Sequence, residues 1–280
     1  MLNFSPVEPG RTPRQMLNDT IEMGVILDRL GYSRYWLAEH HAWFGDGSPE
    51  LLLPMIGERT QSIRVGMAGV LLYFYSPHKV AENFALLNTL FAGRVDLGVC
   101  RGWAYEETAH ALLDGRPALR DIEEFETRVE RMLGYLQTRV EEADHPQSWL
   151  LGSGKNTMLS AAKYGVSYCH SIFHPGAYRQ PAIFEWYREA CVEQGAEPGQ
   201  VALAVAGVCS SDAEAAERIA RAHNHNATVP TVIGTPAHCA ALLRALAVEF
   251  GVDEIVFHDV SPLHADRVQS YTLLAEALAL

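Results

Sequence analysis

A single (β/α)8 TIM barrel is the fold class the sequence predicts, and three observations predict it. Strand-like and helix-like segments alternate along nearly the whole chain, which is the signature of parallel βα units. Most of the strand-like segments are short apolar runs bounded by glycine or turn residues, as in a sheet covered on both faces. The chain has 280 residues, close to the roughly 250 that such a barrel uses. An open doubly wound sheet is the other way to arrange the same units.

The elements follow in order. A short first strand at the N-terminus is cut off by Pro6. Thr12-Pro13 then reads as a helix N-cap with proline at the first helical position, and Met16, Met23, Ile26, Leu27 and Leu30 recur at helical spacing up to Gly31. Residues 32–38 form the second strand, which delivers Glu39-His40-His41 at its end. Ser48-Pro49 opens a helix to residue 60, a third strand spans 64–72, and a helix spans 78–90. The fourth strand starts at Val95 and ends in Cys100-Arg101-Gly102. An irregular segment to Gly115 precedes a long helix carrying Leu119, Ile122, Phe125, Val129, Met132 and Leu136. Trp149-Leu150-Leu151 is the fifth strand, and the loop from Gly152 to Asn156 leads into a helix ending near Gly165. A strand over 167–173, a helix over 180–194, a strand over 201–209 and a charged helix over 212–223 follow. A helix over 236–250, the eighth strand at 254–258 and a helix over 264–278 close the chain. Without a fixed repeat or an interdomain linker, residues 1–280 read as one domain.

Composition narrows the function. The 34 acidic residues against 22 Lys+Arg give a formal charge of -12, so nucleic acid and anionic membrane surfaces would be repelled on average. An anionic small molecule would need a local cationic site, for which Arg101, Arg120 and Lys155 are the candidates. Five scattered cysteines without a CxxC spacing, and no signal-peptide pattern or long apolar span, predict a cytoplasmic protein.

Parallel strands carry their chemistry at their carboxyl ends, so Glu39, His40, Cys100 and Arg101 are the first candidates for a site. Adjacent strand side chains point to opposite faces, so His40 and His41 are expected to serve different ends. The loop Gly152-Ser153-Gly154-Lys155-Asn156-Thr157 enters a helix, and a helix N-terminus presents backbone N–H groups and a positive dipole end to an anion. The aromatic residues Tyr73, Phe74, Tyr75, Trp103, Tyr105 and Phe173 are expected at the barrel mouth, as a substrate pocket or as rim packing. Glu39, His40, His41 and His110 could also ligate a metal, as could His223-Asn224-His225, though residues two apart on a helix do not face one another. The reading assigns no metal.

Several stretches, in this order along the chain, resemble the bacterial luciferase-like flavin monooxygenases. They are residues 30–41 (Leu-Gly-Tyr-Ser-Arg-Tyr-Trp-Leu-Ala-Glu-His-His), 63–66 (Ile-Arg-Val-Gly), 76–82 (Ser-Pro-His-Lys-Val-Ala-Glu) and 93–102 (Gly-Arg-Val-Asp-Leu-Gly-Val-Cys-Arg-Gly). Residues 149–153, 233–236 and 267–276 continue the match. The resemblance implies a barrel that binds reduced FMN, or in some relatives a deazaflavin, at the strand ends. It implies dioxygen addition to give a C4a-peroxyflavin, and transfer of one oxygen to a small organic substrate. It makes His40 a base or hydrogen-bond donor beside the flavin, with Glu39 next to it, and it places Ala68-Gly69 at a non-proline cis peptide under the flavin ring. Cys100 is placed beside the ring; a small buried hydrophobe fits that position equally. The resemblance puts the FMN phosphate at Gly152, Ser153, Asn156 and Thr157, with Arg101 and, from the long helix, Arg120. A separate flavin reductase would supply the reduced cofactor, and a homodimer would form through the helices at 49–60 and 78–90. The first strand is clipped, and the segments before Trp149 and Val232 are shorter than the family's usual lid insertions. Two rivals follow: a deazaflavin-dependent dehydrogenase on the same barrel, and a non-catalytic flavin-binding protein.

Overall fold

The computed structural model describes residues 1–4, 7–41, 47–102, 106–114, 122–139, 141, 145–223 and 228–280. Its strands are β1 (Leu2–Asn3), β2 (Arg34–Leu37), β3 (Arg64–Leu71), β4 (Val95–Cys100), β5 (Gln147–Gly152), β6 (Ser167–Ser171), β7 (Val201–Cys209), β8 (Val232–Gly234) and β9 (Ile255–Asp259). Its helices are α1 (Pro13–Arg29), α2 (Leu53–Gly57), α3 (Pro77–Leu90), α4 (Glu106–Leu112), α5 (Ile122–Arg139), α6 (Lys155–Tyr164), α7 (Ile183–Glu193), α8 (Ala213–Ala222), α9 (Pro236–Phe250) and α10 (His264–Leu278).

Every pairing is parallel, and each strand from β1 to β7 pairs with the next. β7 then serves two partners: residues 203–207 pair with β9, and residues 207–209 pair with β8. β8 is one strand more than the eight expected from the sequence. It is three residues long, too short for an apolar run to announce it. It fits because β7 has Gly207 there: a Cβ on that residue would stand 1.8 Å from the Val232 carbonyl oxygen. Among the described residues no ladder joins β9 to β1, but the His258 ring of β9 reaches the Leu2 carbonyl oxygen of β1 at 3.2 Å.

Side chains alternate between two apolar layers, as the pleat requires. On β2, Tyr35 and Leu37 belong to the layer shared with the helices, while Trp36 belongs to the other layer, with Trp149, Ala202 and Ala204, and its ring lies 5.1 Å from that of Trp149. The N-terminal ends of the strands carry a buried polar plug. Arg34 donates to Asp96 (2.7 Å), Gln147 (3.1 Å) and Glu254 (2.6 Å), and its guanidinium lies 4.8 Å over the Trp149 ring. Arg64 and the Trp36 indole also donate to the same Asp96 carboxylate, at 2.6 and 2.8 Å.

Local signals explain the helices. Thr12 caps α1 with a reciprocal Gln15 contact, and Pro13 sits at its first turn. The helix expected over 49–60 is split into a 3-10 turn, Pro49–Leu52, and α2, because Pro54 has no N–H to continue the ladder. The segment 101–115, expected to be irregular, contains α4; Glu106 and Glu107 in its first turn and His110 in its last suit the helix dipole. Of the long helix, α5 is described from Ile122, and Leu119 lies outside the described residues. The helix expected over 180–194 is the shorter α7.

β3 and β4 approach so closely that a Cβ on Gly98 would lie 2.1 Å from the Met67 carbonyl oxygen and 2.7 Å from Leu151. Gly98→Ala is therefore expected to cost about 1–3 kcal/mol or more, as overpacking does. A urea titration checks this; an unchanged midpoint would mean that the strands can part there without loss.

Candidate functional site

The carboxyl ends of β2, β3 and β4 bring the first group of candidates together. Ala68-Gly69 is a cis peptide in β3, where the ladder to β4 shifts register between Met67 and Val70. The Cys100 thiol points at this peptide, donating to the Gly69 carbonyl oxygen at 3.7 Å. Glu39 is buried and accepts three hydrogen bonds: from the Leu71 N–H at 3.0 Å, the Tyr75 hydroxyl at 2.6 Å and His41 Nε2 at 2.6 Å. It thus fixes the start of the 72–75 turn to the end of β2.

Burial and the Glu39 carboxylate push the Cys100 thiol up to about 12. The sign is plain: at neutral pH the sulfur keeps its proton and is a poor nucleophile. Alkylation of Cys100 by iodoacetamide at pH 8 is expected to run more than about 100-fold slower than that of free cysteine, from the thiolate fraction alone. Peptide mapping over time reads this; labelling at the free rate would reveal an ionised, open thiol.

His40 and His41 separate as adjacent strand-end residues should. His41 joins Glu39 and Tyr75, whose hydroxyl is 3.2 Å from its Nε2. His40 stacks on Phe4, with ring centroids 4.7 Å apart. Phe4 in turn lies 4.3 Å from His258 and 6.0 Å from Phe173, so β1, β2, β6 and β9 jointly build an aromatic wall. Burial lowers the His258 pKa to about 3, so this ring is neutral. Its Nδ1 faces a carbonyl, which only accepts, so Nδ1 carries the hydrogen and Nε2 is an acceptor. Phe4 and His258 escaped the sequence reading. A lone aromatic beside a two-residue strand gives no periodic signal, although His258 does follow an apolar run at a strand end.

β5 pairs with β4, so the loop at 152–157 opens beside the end of Cys100-Arg101. Arg101 is exposed. α6 starts at Lys155 with Gly154 as its N-cap, and no side chain caps it. A Cβ on Gly154 would meet nothing within 4 Å, whereas one on Gly152 would strike Thr157 Oγ1 at 2.3 Å. Glycine at 152 therefore lets Thr157 fold over the loop, and glycine at 154 leaves the helix end open. Ser153, Asn156 and Thr157 stand on this turn, and Lys155 lies 5.4 Å from the Trp186 ring.

The remaining candidates divide. Phe173 is in the aromatic wall, and Tyr75 is bonded to Glu39. Tyr73 is buried against α5, donating to Glu124 at 3.3 Å with the Arg128 guanidinium 5.5 Å over its ring. Arg120, Trp103, Tyr105, Asn224 and His225 lie outside the described residues. The candidate metal ligands Glu39 and His41 are together, but His40 belongs to the aromatic wall. Among the described residues, three close candidate ligands instead meet at Asp19, Glu22 and His264, where Arg11 pairs with Asp19. No described helix is long and apolar enough to cross a membrane.

The model of the luciferase-like monooxygenase family matches residues 1–231. The chain belongs to that family. A curated relative, the N-acetyl-S-alkylcysteine monooxygenase of Bacillus subtilis (strain 168), is 30% identical over 191 residues, 63% of this chain and 57% of its own. The solved structure of apo-MsnO8 is 28% identical, with a TM-score of 0.85 over 100% of this chain and 98% of its own. The oxygenating constituent of the 3,6-diketocamphane monooxygenase of Pseudomonas putida, solved with FMN, is 17% identical, with a TM-score of 0.78 over 100% and 96%. Membership makes the chain an oxidoreductase of monooxygenase type.

Proposed function

We propose that this chain is a monooxygenase that takes reduced FMN from a separate flavin reductase and inserts one oxygen of dioxygen into a small organic substrate. The observation that carries this reading is the uncapped N-terminus of α6 behind Gly152-Ser153-Gly154, on the strand beside the one that ends in Cys100-Arg101. Those residues fit a dianion: backbone N–H groups at a helix start, two hydroxyls, and a guanidinium able to make paired bonds. Arg101, Ser153, Asn156 and Thr157 would hold the phosphate, with Arg120. Ala68-Gly69 and Cys100 would face the ring system, and Gly152 would stand with the phosphate loop. When bound, the reduced flavin supplies the electrons that activate dioxygen.

The protein's own residues do the rest. Phe4 and Phe173 keep water from one side, Glu39 holds Tyr75 and the 72–75 turn in place, and His40 moves a proton at the substrate. We also propose that the sheet closes into a barrel of one domain, since Arg34 alone bonds Asp96 of β4, Gln147 of β5 and Glu254 just before β9. A homodimer fits the exposed Leu51, Met55, Leu86 and Leu90 on the early helices, and a cytoplasmic location fits the scattered free thiols.

The test is to load the protein with photoreduced FMN without air, mix it with oxygenated buffer and follow the flavin spectrum. Reoxidation delayed well beyond that of unbound FMN is expected. Reoxidation at the unbound rate would favour the carrier alternative. No FMN binding, with saturable binding of a deazaflavin, would replace the oxygenase with a dehydrogenase.

A further inference from the structure

The turn that holds Ser153 is tied down from the neighbouring strand. His170, on β6, is the register partner of Gly152. Its Nε2 lies 2.7 Å from the Tyr178 carbonyl oxygen, and the Tyr178 N–H donates to the Ser153 carbonyl oxygen at 2.8 Å. On the far side of the ring, Nδ1 is 2.6 Å from the Tyr168 hydroxyl. Tyr168 and His170 are both fully buried.

The chemistry fixes each proton. A carbonyl oxygen only accepts, so His170 Nε2 carries hydrogen. Burial lowers the His170 pKa, so the ring is neutral and Nδ1 has its lone pair. The Tyr168 hydroxyl is therefore the donor to Nδ1, which locks the tautomer that lets Nε2 donate. Tyr178 is clamped at both its carbonyl and its N–H, and the Ser153 peptide takes its orientation from that clamp. This chain of bonds ends on the Ser153 peptide and does not touch Ala68-Gly69 or Cys100.

We propose that Tyr168 and His170 are positioning residues that set affinity for the cofactor's phosphate, and not for its ring, through Tyr178 and Ser153. The proposal rests on the reading that the loop at 152–157 takes a flavin phosphate. A precise peptide orientation matters most for a ligand bound by backbone N–H groups, because they cannot re-aim as long side chains can.

Titration of the protein with oxidised FMN and with riboflavin, followed by flavin fluorescence, separates the two readings. The wild type is expected to prefer FMN by at least about 10-fold, the scale of a few charge-assisted hydrogen bonds. Tyr168→Phe keeps the ring's volume and removes the donor; it is expected to shrink that preference about fivefold, the worth of one hydrogen bond, with riboflavin affinity unchanged. His170→Leu should shrink it further, and His170→Gln, whose amide can still donate to Tyr178, should restore part of it. A folded Tyr168→Phe protein with the full preference, or one that loses FMN and riboflavin equally, overturns the proposal. A wild type that binds both flavins alike refutes the phosphate reading itself. That result is separate, since it is seen before any variant is made.

Discussion

Asp96→Ala is expected to destabilise the protein by about 3–5 kcal/mol, the range for breaking a buried charge pair by removing one partner. Asp96 is 0% exposed and holds three donors, from Arg34, Arg64 and Trp36. Removing it leaves the Arg34 guanidinium, on a residue 5% exposed, with Glu254 as its remaining anionic partner. The penalty is the desolvation of a cation that has lost half of its compensation, and it exceeds the modest net worth of an intact pair. Trp36 and Trp149, whose rings are 5.1 Å apart, sit at the plug and report its loss by fluorescence in a urea titration. Glu82→Gln, which breaks the exposed Lys79–Glu82 pair, is the control and should leave the midpoint in place. If Asp96→Ala unfolded at the wild-type midpoint, water would have to reach the arginines, and the plug would not be a sealed part of the core.

The contrast between those two pairs shows what was legible in the sequence. Asp96 interrupts the run Val95-Asp96-Leu97-Gly98-Val99, and a charge inside a two-face-buried strand is a visible anomaly, yet its partners are 62 and 32 residues away. Periodicity locates strands; it does not say which residues meet at their ends. The parallel units were legible because β4 and β7 are largely apolar runs, and α1 because Thr12-Pro13 and Gly31 mark its limits. β8 was not, because three residues between a loop and Thr235-Pro236 carry no period of their own. The break between the 3-10 turn and α2 falls at Pro54, which has no N–H to continue the ladder.

The site divides along the same line. Glu39, Cys100 and Ser153 follow from the rule that parallel strands present chemistry at their carboxyl ends. The cis geometry at Ala68-Gly69 followed from family likeness alone; no local pattern encodes it. Tyr73 shows the limit of reading an aromatic run as one surface: consecutive residues diverge, and Tyr73 turns to α5 while Tyr75 turns to Glu39.

His40→Ala is expected to lower turnover by about 10²–10⁴-fold, the usual share of a positioned acid or base, while leaving FMN affinity near that of the wild type. Two histidines stand in the aromatic wall, and the structure distinguishes them. His258 is neutral at any working pH, because burial holds its pKa to about 3, and its Nδ1 hydrogen is committed to the Leu2 carbonyl. It can accept a hydrogen bond but cannot carry a proton away. His40 is tilted against the same Phe4, with ring centroids 4.7 Å apart, at the end of the neighbouring strand β2. His258→Asn, by contrast, should weaken substrate binding and leave turnover near that of the wild type. Both are read from product formed with a substrate the wild type oxygenates, beside an FMN titration. A His40→Ala protein with full turnover would leave Phe4 and His40 as packing alone and move the proton-transfer role to the Glu39–His41–Tyr75 group. A variant that lost FMN affinity and turnover together would show that His40 shapes the cofactor site instead of acting on the substrate.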